Sequence, residues 1–171
     1  MIHIPTLDTP RLRLRAFRQT DFEAMAGFFA HPVSATYGGP CPRDEAWRKF
    51  AVYSGHWLLR GYGPWAVAHR ETDHLVGVCG LWFPEGWPEP EITWALLPDQ
   101  QGKGYATEAA RRALQAAHEV YGWTTAVSVV AHGNTASDAV ALRMGAQVES
   151  HIPFRGGLAT VYRHAQPLAR P

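Results

Sequence analysis

The stretch that most constrains the fold is residues 96–108, Leu96-Leu97-Pro98-Asp99-Gln100-Gln101-Gly102-Lys103-Gly104-Tyr105-Ala106-Thr107-Glu108. A strand pattern stops there, a glycine turn follows, and a helix pattern begins. Glycines on both sides of one lysine free the backbone from Cβ clashes, so successive N–H groups can converge on a single anion. The helix adds unpaired first-turn donors and the positive end of its dipole. Together these favour a phosphate. The spacing does not fit a P-loop, which needs GxxxxGK followed by Ser or Thr. Nor does it fit a dinucleotide fingerprint, because Thr107 stands where the third glycine belongs and the turn follows several strands and two helices. Taken alone, Gly102 and Gly104 read equally well as an ordinary strand-to-helix turn.

The segments leading into the turn alternate in character. Residues 10–18 set Leu12, Leu14 and Ala16 against Arg11, Arg13 and Arg15, the period of a half-buried strand with arginines on its wet face. Thr20 or Asp21 caps a helix in which Phe22, Met25, Phe28 and Phe29 recur at helical steps, and Pro32 forbids its continuation. Residues 31–42 read as a loop. A second helix starts at Asp44, carries Trp47, Phe50, Val52, Trp57 and Leu58, and ends at residues 61–63. Apolar runs at 64–69 and 74–83 predict an antiparallel hairpin, and 84–90 is a proline-rich turn. In the strand 91–97, Ile92, Trp94 and Leu96 alternate with Glu91, Thr93 and Ala95, which puts one carboxylate opposite the large apolar groups.

The helix after the turn carries a stripe of Ala106, Ala109, Ala110, Ala113, Leu114, Ala117 and Val120. Small side chains let its axis lie close to a sheet, which brings the N-terminal amides near whatever the preceding strand holds. Glu108 has the spacing for exposed pairs with Arg111 and Arg112. Residues 124–131 read as a buried strand, 134–144 as a short helix, and 147–154 with 158–164 as a final hairpin around Gly156-Gly157.

Composition narrows the function classes. A chain of 171 residues, 46% hydrophobic, suits one domain spanning 1–171. With 16 basic and 15 acidic residues, it lacks the global field that gathers nucleic acid or an anionic membrane. Cys41 and Cys79 sit apart and read as reduced thiols, and no Cys/His spacing suggests a metal. Residues 1–9 lack a leader pattern and no window resembles a membrane span, so a cytoplasmic protein is expected.

The residues resemble the GNAT superfamily of acetyl-CoA-dependent N-acetyltransferases. Its signature, Gln/Arg-x-x-Gly-x-Gly/Ala at a strand-to-helix junction, is met by Gln101, Gly104 and Ala106. The string Gln101-Gly102-Lys103-Gly104-Tyr105-Ala106-Thr107-Glu108-Ala109 is similar to the RimJ/RimL branch, which acetylates ribosomal-protein N-termini. So are the opening Thr9-Pro10-Arg11-Leu12-Arg13-Leu14-Arg15 and the downstream Asn134-x-x-Ser137 with Leu142-Arg143-Met144-Gly145-Ala146. The resemblance implies an α/β (α+β) fold with a mixed, mostly antiparallel sheet of about six to seven strands. About four helices would flank it, with a splay between the fourth and fifth strands.

The resemblance also implies roles. Amides of Gly102, Lys103, Gly104, Tyr105, Ala106 and Thr107 would cradle the pyrophosphate of acetyl-CoA, after Gln101, with Lys103, Arg111 or Arg143 on outer phosphates. Leu96 and Leu97 would meet the pantetheine arm as a pseudo-strand, and Asn134 would bond the cofactor. An amine must lose a proton before attack, and Glu91 is placed as the base; its other reading is a solvated or arginine-paired strand carboxylate. A backbone N–H at Leu97 or nearby would hold the oxyanion. Many members carry a tyrosine as acid for the leaving sulfur, four residues before the glycine that ends the last helix. Here that position is Ala141, which leaves Ser137 as the hydrogen-bond donor or, equally, as a capping or solvent group. The acceptor is an amine, on a peptide N-terminus or a small molecule, and a homodimer fits the family. A non-catalytic acyl-CoA-binding module is the alternative. Trp82 and Trp87 flank the expected acceptor cleft; the other tryptophans and the histidines read as packing or surface.

Overall fold

Alternating apolar residues pair into one mixed sheet, seen here in a computed structural model that describes residues 3–166. The ends of the expected 1–171 domain, residues 1, 2 and 167–171, lie outside the described residues. In chain order the strands are β1 (Leu7–Asp8), β2 (Leu12–Arg15), β3 (Pro64–His69), β4 (Leu75–Trp82), β5 (Glu91–Leu96), β6 (Val127–Ala131), β7 (Gln147–Phe154) and β8 (Gly157–Arg163). They lie side by side as β1-β2-β3-β4-β5-β6-β8-β7, and every neighbouring pair is antiparallel except β5 with β6. The α-helices are α1 (Phe22–Ala30), α2 (Arg43–Arg60), α3 (Tyr105–Glu119) and α4 (Thr135–Arg143).

The sheet is unzipped at one seam. Strands β5 and β6 share a single paired position, Glu91 with Val127, backed by a bond from the Val127 amide to the Pro90 carbonyl at 3.0 Å. Beyond it the Ser128 hydroxyl donates to the Ile92 carbonyl at 2.6 Å, and the strands then part. The same two segments were expected to splay as the fourth and fifth strands. They count as fifth and sixth because Leu7–Asp8 forms a two-residue strand too short to leave a periodic signal.

Both faces of the sheet are covered. On one, the alanines of α3 pack with Leu12, Leu14, Trp65, Val76, Ile92 and Leu96. On the other, Phe22, Met25, Phe28 and Phe29 of α1 and Phe50 of α2 cover Val78 and Ala95. Strand β4 approaches β5 closely, since a Cβ at Gly77 would lie 2.3 Å from the Ala95 carbonyl oxygen and 2.8 Å from the Leu96 Cα.

Several expected faces are corrected. Arg15 is not on a wet face but 5% exposed, donating to Asp21 at 2.8 and 3.0 Å and to Asp73 at 2.9 Å. Alternation names the face of a strand, not what later covers it. On α2, for which the sequence assigned no face, the buried stripe runs through Ala46, Phe50 and Trp57 and leaves Trp47, Val52 and Leu58 exposed. On α3, Val120 is exposed and Ala116 takes its place in the buried stripe. Residues 31–42 are not simply a loop: Pro32–Tyr37 form a 3-10 turn stopped by the left-handed Gly38, φ 83°. No described helix is long and apolar enough to cross a membrane.

Candidate active site

The glycine turn has the backbone its sequence predicts. Gly102 and Gly104 sit at φ 75° and 79°, where a side chain would be strained, and Gly104 opens α3 with no side-chain cap. The first helical bond runs from the Glu108 amide to the Gly104 carbonyl at 3.2 Å, which leaves the amides of Tyr105, Ala106 and Thr107 without intrahelical partners. The Thr107 hydroxyl is buried and also lacks a partner. Uncommitted donors of this kind fit an anionic group.

The turn is held by a contact that local spacing did not reveal. Glu108 pairs not with Arg111 or Arg112 but with Arg11, at 2.7 Å, and accepts from the Thr9 hydroxyl at 2.6 Å. Arg11 also donates to the Lys103 carbonyl at 3.0 Å and stacks over the Tyr105 ring at 4.6 Å. The Thr9-Pro10-Arg11 segment therefore clamps the glycine turn from across the sheet.

A groove of about 1360 Å³ runs from this turn along α3 to α4. Leu96, Gln101, Gly102, Gly104, Tyr105, Ala106 and Thr107 line one side, and Asn134 and Ser137 the other. Arg111 and Arg143 also line it, the first donating to the carbonyl of the second at 2.6 Å. Lys103 and Leu97 are not in its wall. The Lys103 ammonium lies on the exposed side, 3.4 Å from the Gln100 side chain.

Leu97 is also not the oxyanion donor. Its amide donates to the Val76 carbonyl at 2.9 Å and its carbonyl accepts from Gln100 at 2.9 Å, so both groups are engaged. Because antiparallel bonding alternates, Leu97 facing β4 turns the peptide groups of Trp94 and Leu96 toward the open seam. The Leu96 carbonyl is taken by the Gln101 side-chain amide at 3.2 Å, and its N–H remains on the groove side.

Across the seam lies a smaller cavity of about 110 Å³ with Glu91 in its wall and Tyr37, Tyr53, Trp82, Trp87 and Phe154 around it. Glu91 is 5% exposed, so the solvated reading does not hold, and among the described residues its carboxylate is bonded by Trp87 and Val129 and not by an arginine. The Trp87 indole N–H donates to one carboxylate oxygen, and the Val129 amide to the other at 3.4 Å. Burial pushes the Glu91 pKa up to about 8, against the lowering effect of those two donors and of Arg155.

Thr36, Tyr37, Trp94, Asn134 and Ser137 line both cavities and mark where groove and pocket meet. Asn134 caps α4, its side-chain oxygen accepting from the Ser137 amide at 3.2 Å. The Ser137 hydroxyl is free of that duty. It accepts from the Trp94 indole N–H at 3.2 Å and lies 3.4 Å from the Tyr37 hydroxyl. Burial raises the Tyr37 pKa more than its bonds to Ser137 and Asn134 lower it. Ala141 is fully buried in the core, so no phenol stands there. Sequence reading missed Tyr37 because it lies in a segment with no periodicity, about a hundred residues from the serine it meets. The one local signal was Tyr37-Gly38-Gly39-Pro40, which reads only as a turn.

Among the histidines, His56 has a structural role. His56 donates through Nδ1 to the Tyr62 carbonyl at 2.7 Å and accepts from the Phe83 amide at 3.0 Å, which fixes the neutral tautomer. Among the described residues, no group of three or more His, Cys, Asp and Glu side chains could hold a metal.

Comparison with known proteins agrees with this geometry. The profile described as "Acetyltransferase (GNAT) domain" matches residues 11–147, and the chain belongs to that family. It is an acyltransferase of the GNAT type. The acetyltransferase from Agrobacterium tumefaciens C58 is 35% identical, with 97% of each chain covered and a TM-score of 0.88. The uncharacterized N-acetyltransferase YoaA of Bacillus subtilis is 26% identical over 150 residues, 85% of this chain and 84% of that one.

The branch is not fixed by such likenesses. The ribosomal L7/L12 acetyltransferase RimL in complex with coenzyme A matches at 17% identity and TM-score 0.73, covering 94% and 97%. The spermidine N-acetyltransferase of Vibrio cholerae in complex with CoA and spermine matches at 20% and 0.70, covering 91% and 94%. Both speak for the fold alone, so the expectation of a RimJ/RimL-like protein is met as far as GNAT acetyltransferase.

Proposed function

We propose that the protein transfers the acetyl group of acetyl-CoA to a primary amine by direct attack in a ternary complex. The observation that carries this reading is the meeting of a long groove with a small pocket at Ser137 and Tyr37, with a buried carboxylate in the pocket wall. The groove begins at unpaired helix amides suited to a pyrophosphate and ends beside the unzipped seam, where an extended pantetheine arm can pair with Leu96. Gly102, Gly104, Tyr105, Ala106 and Thr107 receive phosphate, with Arg111 and Arg143 as outer cations.

On the acceptor side, Glu91 takes the proton of the attacking amine. Its raised pKa matches the task, since an α-amine loses its proton at about 7.7–8.0 and a base works best near the operating pH. The N–H groups of Trp94 and Leu96 face the reacting carbonyl and steady the developing negative charge. As the carbon–sulfur bond breaks, the Ser137 hydroxyl, with Tyr37 beside it, donates a hydrogen bond to the sulfur, which leaves as the thiolate and takes its proton from solvent. The Trp94 indole holds the serine oxygen in place. A thiolate with a conjugate-acid pKa near 8.5 needs only this modest help.

The test has two arms. Calorimetry should give saturable acetyl-CoA binding, and its absence would remove the groove assignment. Thiol release with a panel of amines and peptides should then reveal turnover. Binding without any thiol release would instead leave the acyl-CoA-binding module as the function.

A further inference from the structure

We propose that the acceptor is a small amine carrying an anionic group, a carboxylate in the simplest case, a few atoms from the attacking nitrogen, and that Arg155 selects it. This rests on the acetyltransferase reading above and names the substrate class of the same site.

The pocket is chemically two-ended. Its walls are aromatic, and its charged side chains are Glu91 and Arg155. Arg155 stands at the β7–β8 tip with its guanidinium 4.9 Å from the Trp87 ring centroid and 5.6 Å from that of Phe154. Arg11, Arg15 and Arg163 each hold a carboxylate, whereas Arg155 has no ion-pair partner among the described residues. Its backbone is left-handed at φ 49°, a conformation that a turn fills most easily with glycine or asparagine. An arginine in such a position, stacked on two rings and unpaired, is an anion receptor in waiting.

The surroundings add to its charge. The Lys49 ammonium and an Arg155 nitrogen lie 3.1 and 3.7 Å from the point where a Cβ on Gly38 would sit, so two cations converge beside the pocket. Lys49 is already paired with Glu45 at 3.3 Å, which leaves Arg155 uncommitted.

That arrangement discriminates. A second ammonium, as in a polyamine, would meet Arg155 as a like charge. An amine with a neutral tail leaves the guanidinium unanswered. A carboxylate can take the planar fork of Arg155 while the nitrogen end points toward Glu91 and Ser137. The cavity of about 110 Å³, against about 1360 Å³ on the donor side, suits a compact molecule with an apolar stem.

The experiment measures kcat and KM for matched sets: amino acids with aliphatic, aromatic and hydroxylated side chains, their amides, their decarboxylated amines, and spermidine. Wild type should prefer the carboxylate-bearing member of at least one set by about tenfold or more in kcat/KM. Arg155→Gln should abolish that preference, chiefly by raising KM for the carboxylate-bearing member, and Arg155→Glu should turn it toward the amines. Equal use of acid and amide by wild type, or a preference that survives Arg155→Gln, would overturn the assignment while leaving acetyl transfer intact. If acetyl-CoA binds and no amine of any charge releases thiol, the transfer reading fails and this one with it.

Discussion

Glu91 illustrates what a single residue contributes and how it can be checked. Glu91→Gln should slow turnover by about 10²–10⁴-fold with little change in acetyl-CoA affinity, measured by steady-state kinetics beside calorimetry. The same substitution has a signed effect on stability. The folded pKa of about 8 stands above the ordinary 4.5, so the folded state holds the extra proton between those values. Its contribution is fully present below about 4.5 and is lost as pH rises through 8. Thermal melts should therefore show the stability of Glu91→Gln relative to wild type rising steadily from pH 4 to pH 8 and levelling above it. The position of Glu91 at the head of a strand was legible in the sequence; its burial was not, because the rings that cover it come from 53, 82, 87 and 154. Tyr37 was wholly illegible for the same reason. Tyr37→Phe should lower kcat more than the KM for acetyl-CoA and steepen the dependence of rate on the acidity of the leaving thiol. An unchanged dependence would return Ser137 to acting alone.

Among the elements, α3 is where sequence and structure agree most closely and where a small change should have the clearest effect. Ala109, Ala110, Ala113, Ala116 and Ala117 are fully buried, so the helix lies on the sheet with no room for a larger side chain. Ala113→Leu should cost about 1–3 kcal/mol in denaturant unfolding and should also weaken acetyl-CoA binding, because lifting the axis withdraws the first-turn amides. A variant that loses stability but keeps affinity would separate helix seating from the phosphate cradle. The alanine periodicity announced this element because helix spacing is local. The partner of Glu108 was not announced, since Arg11 lies 97 residues away and competed successfully with two arginines on the same helix. Arg11→Ala should accordingly loosen the glycine turn and raise the acetyl-CoA Kd, with little effect on the acceptor KM.

At the scale of the whole molecule, order and hand-over of elements were legible because turns, prolines and glycines punctuate the chain. Which faces close against each other was legible only in part. Arg15, Asp21 and the half-buried Asp73 join β2, the start of α1 and the β3–β4 turn into one ionic knot that no periodicity predicts. Arg15→Ala leaves Asp21 buried without its cation and should destabilise by about 3–5 kcal/mol in chemical denaturation. A loss below about 1 kcal/mol would mean that water fills the site.

The unzipped seam has a mechanical consequence. Its closed end holds the Glu91–Val127 pairing, the Ser128–Ile92 bond and the bond from the Val129 amide to the Glu91 carboxylate. Any breathing of β1–β5 against β6–β8 is then a rotation about that end. Displacement is then least at Glu91 and grows toward Leu96, so the groove can widen and narrow while the proposed base stays nearly still. One fold thus combines a compliant entrance with a fixed inner end, and the pivot is the residue proposed as the base.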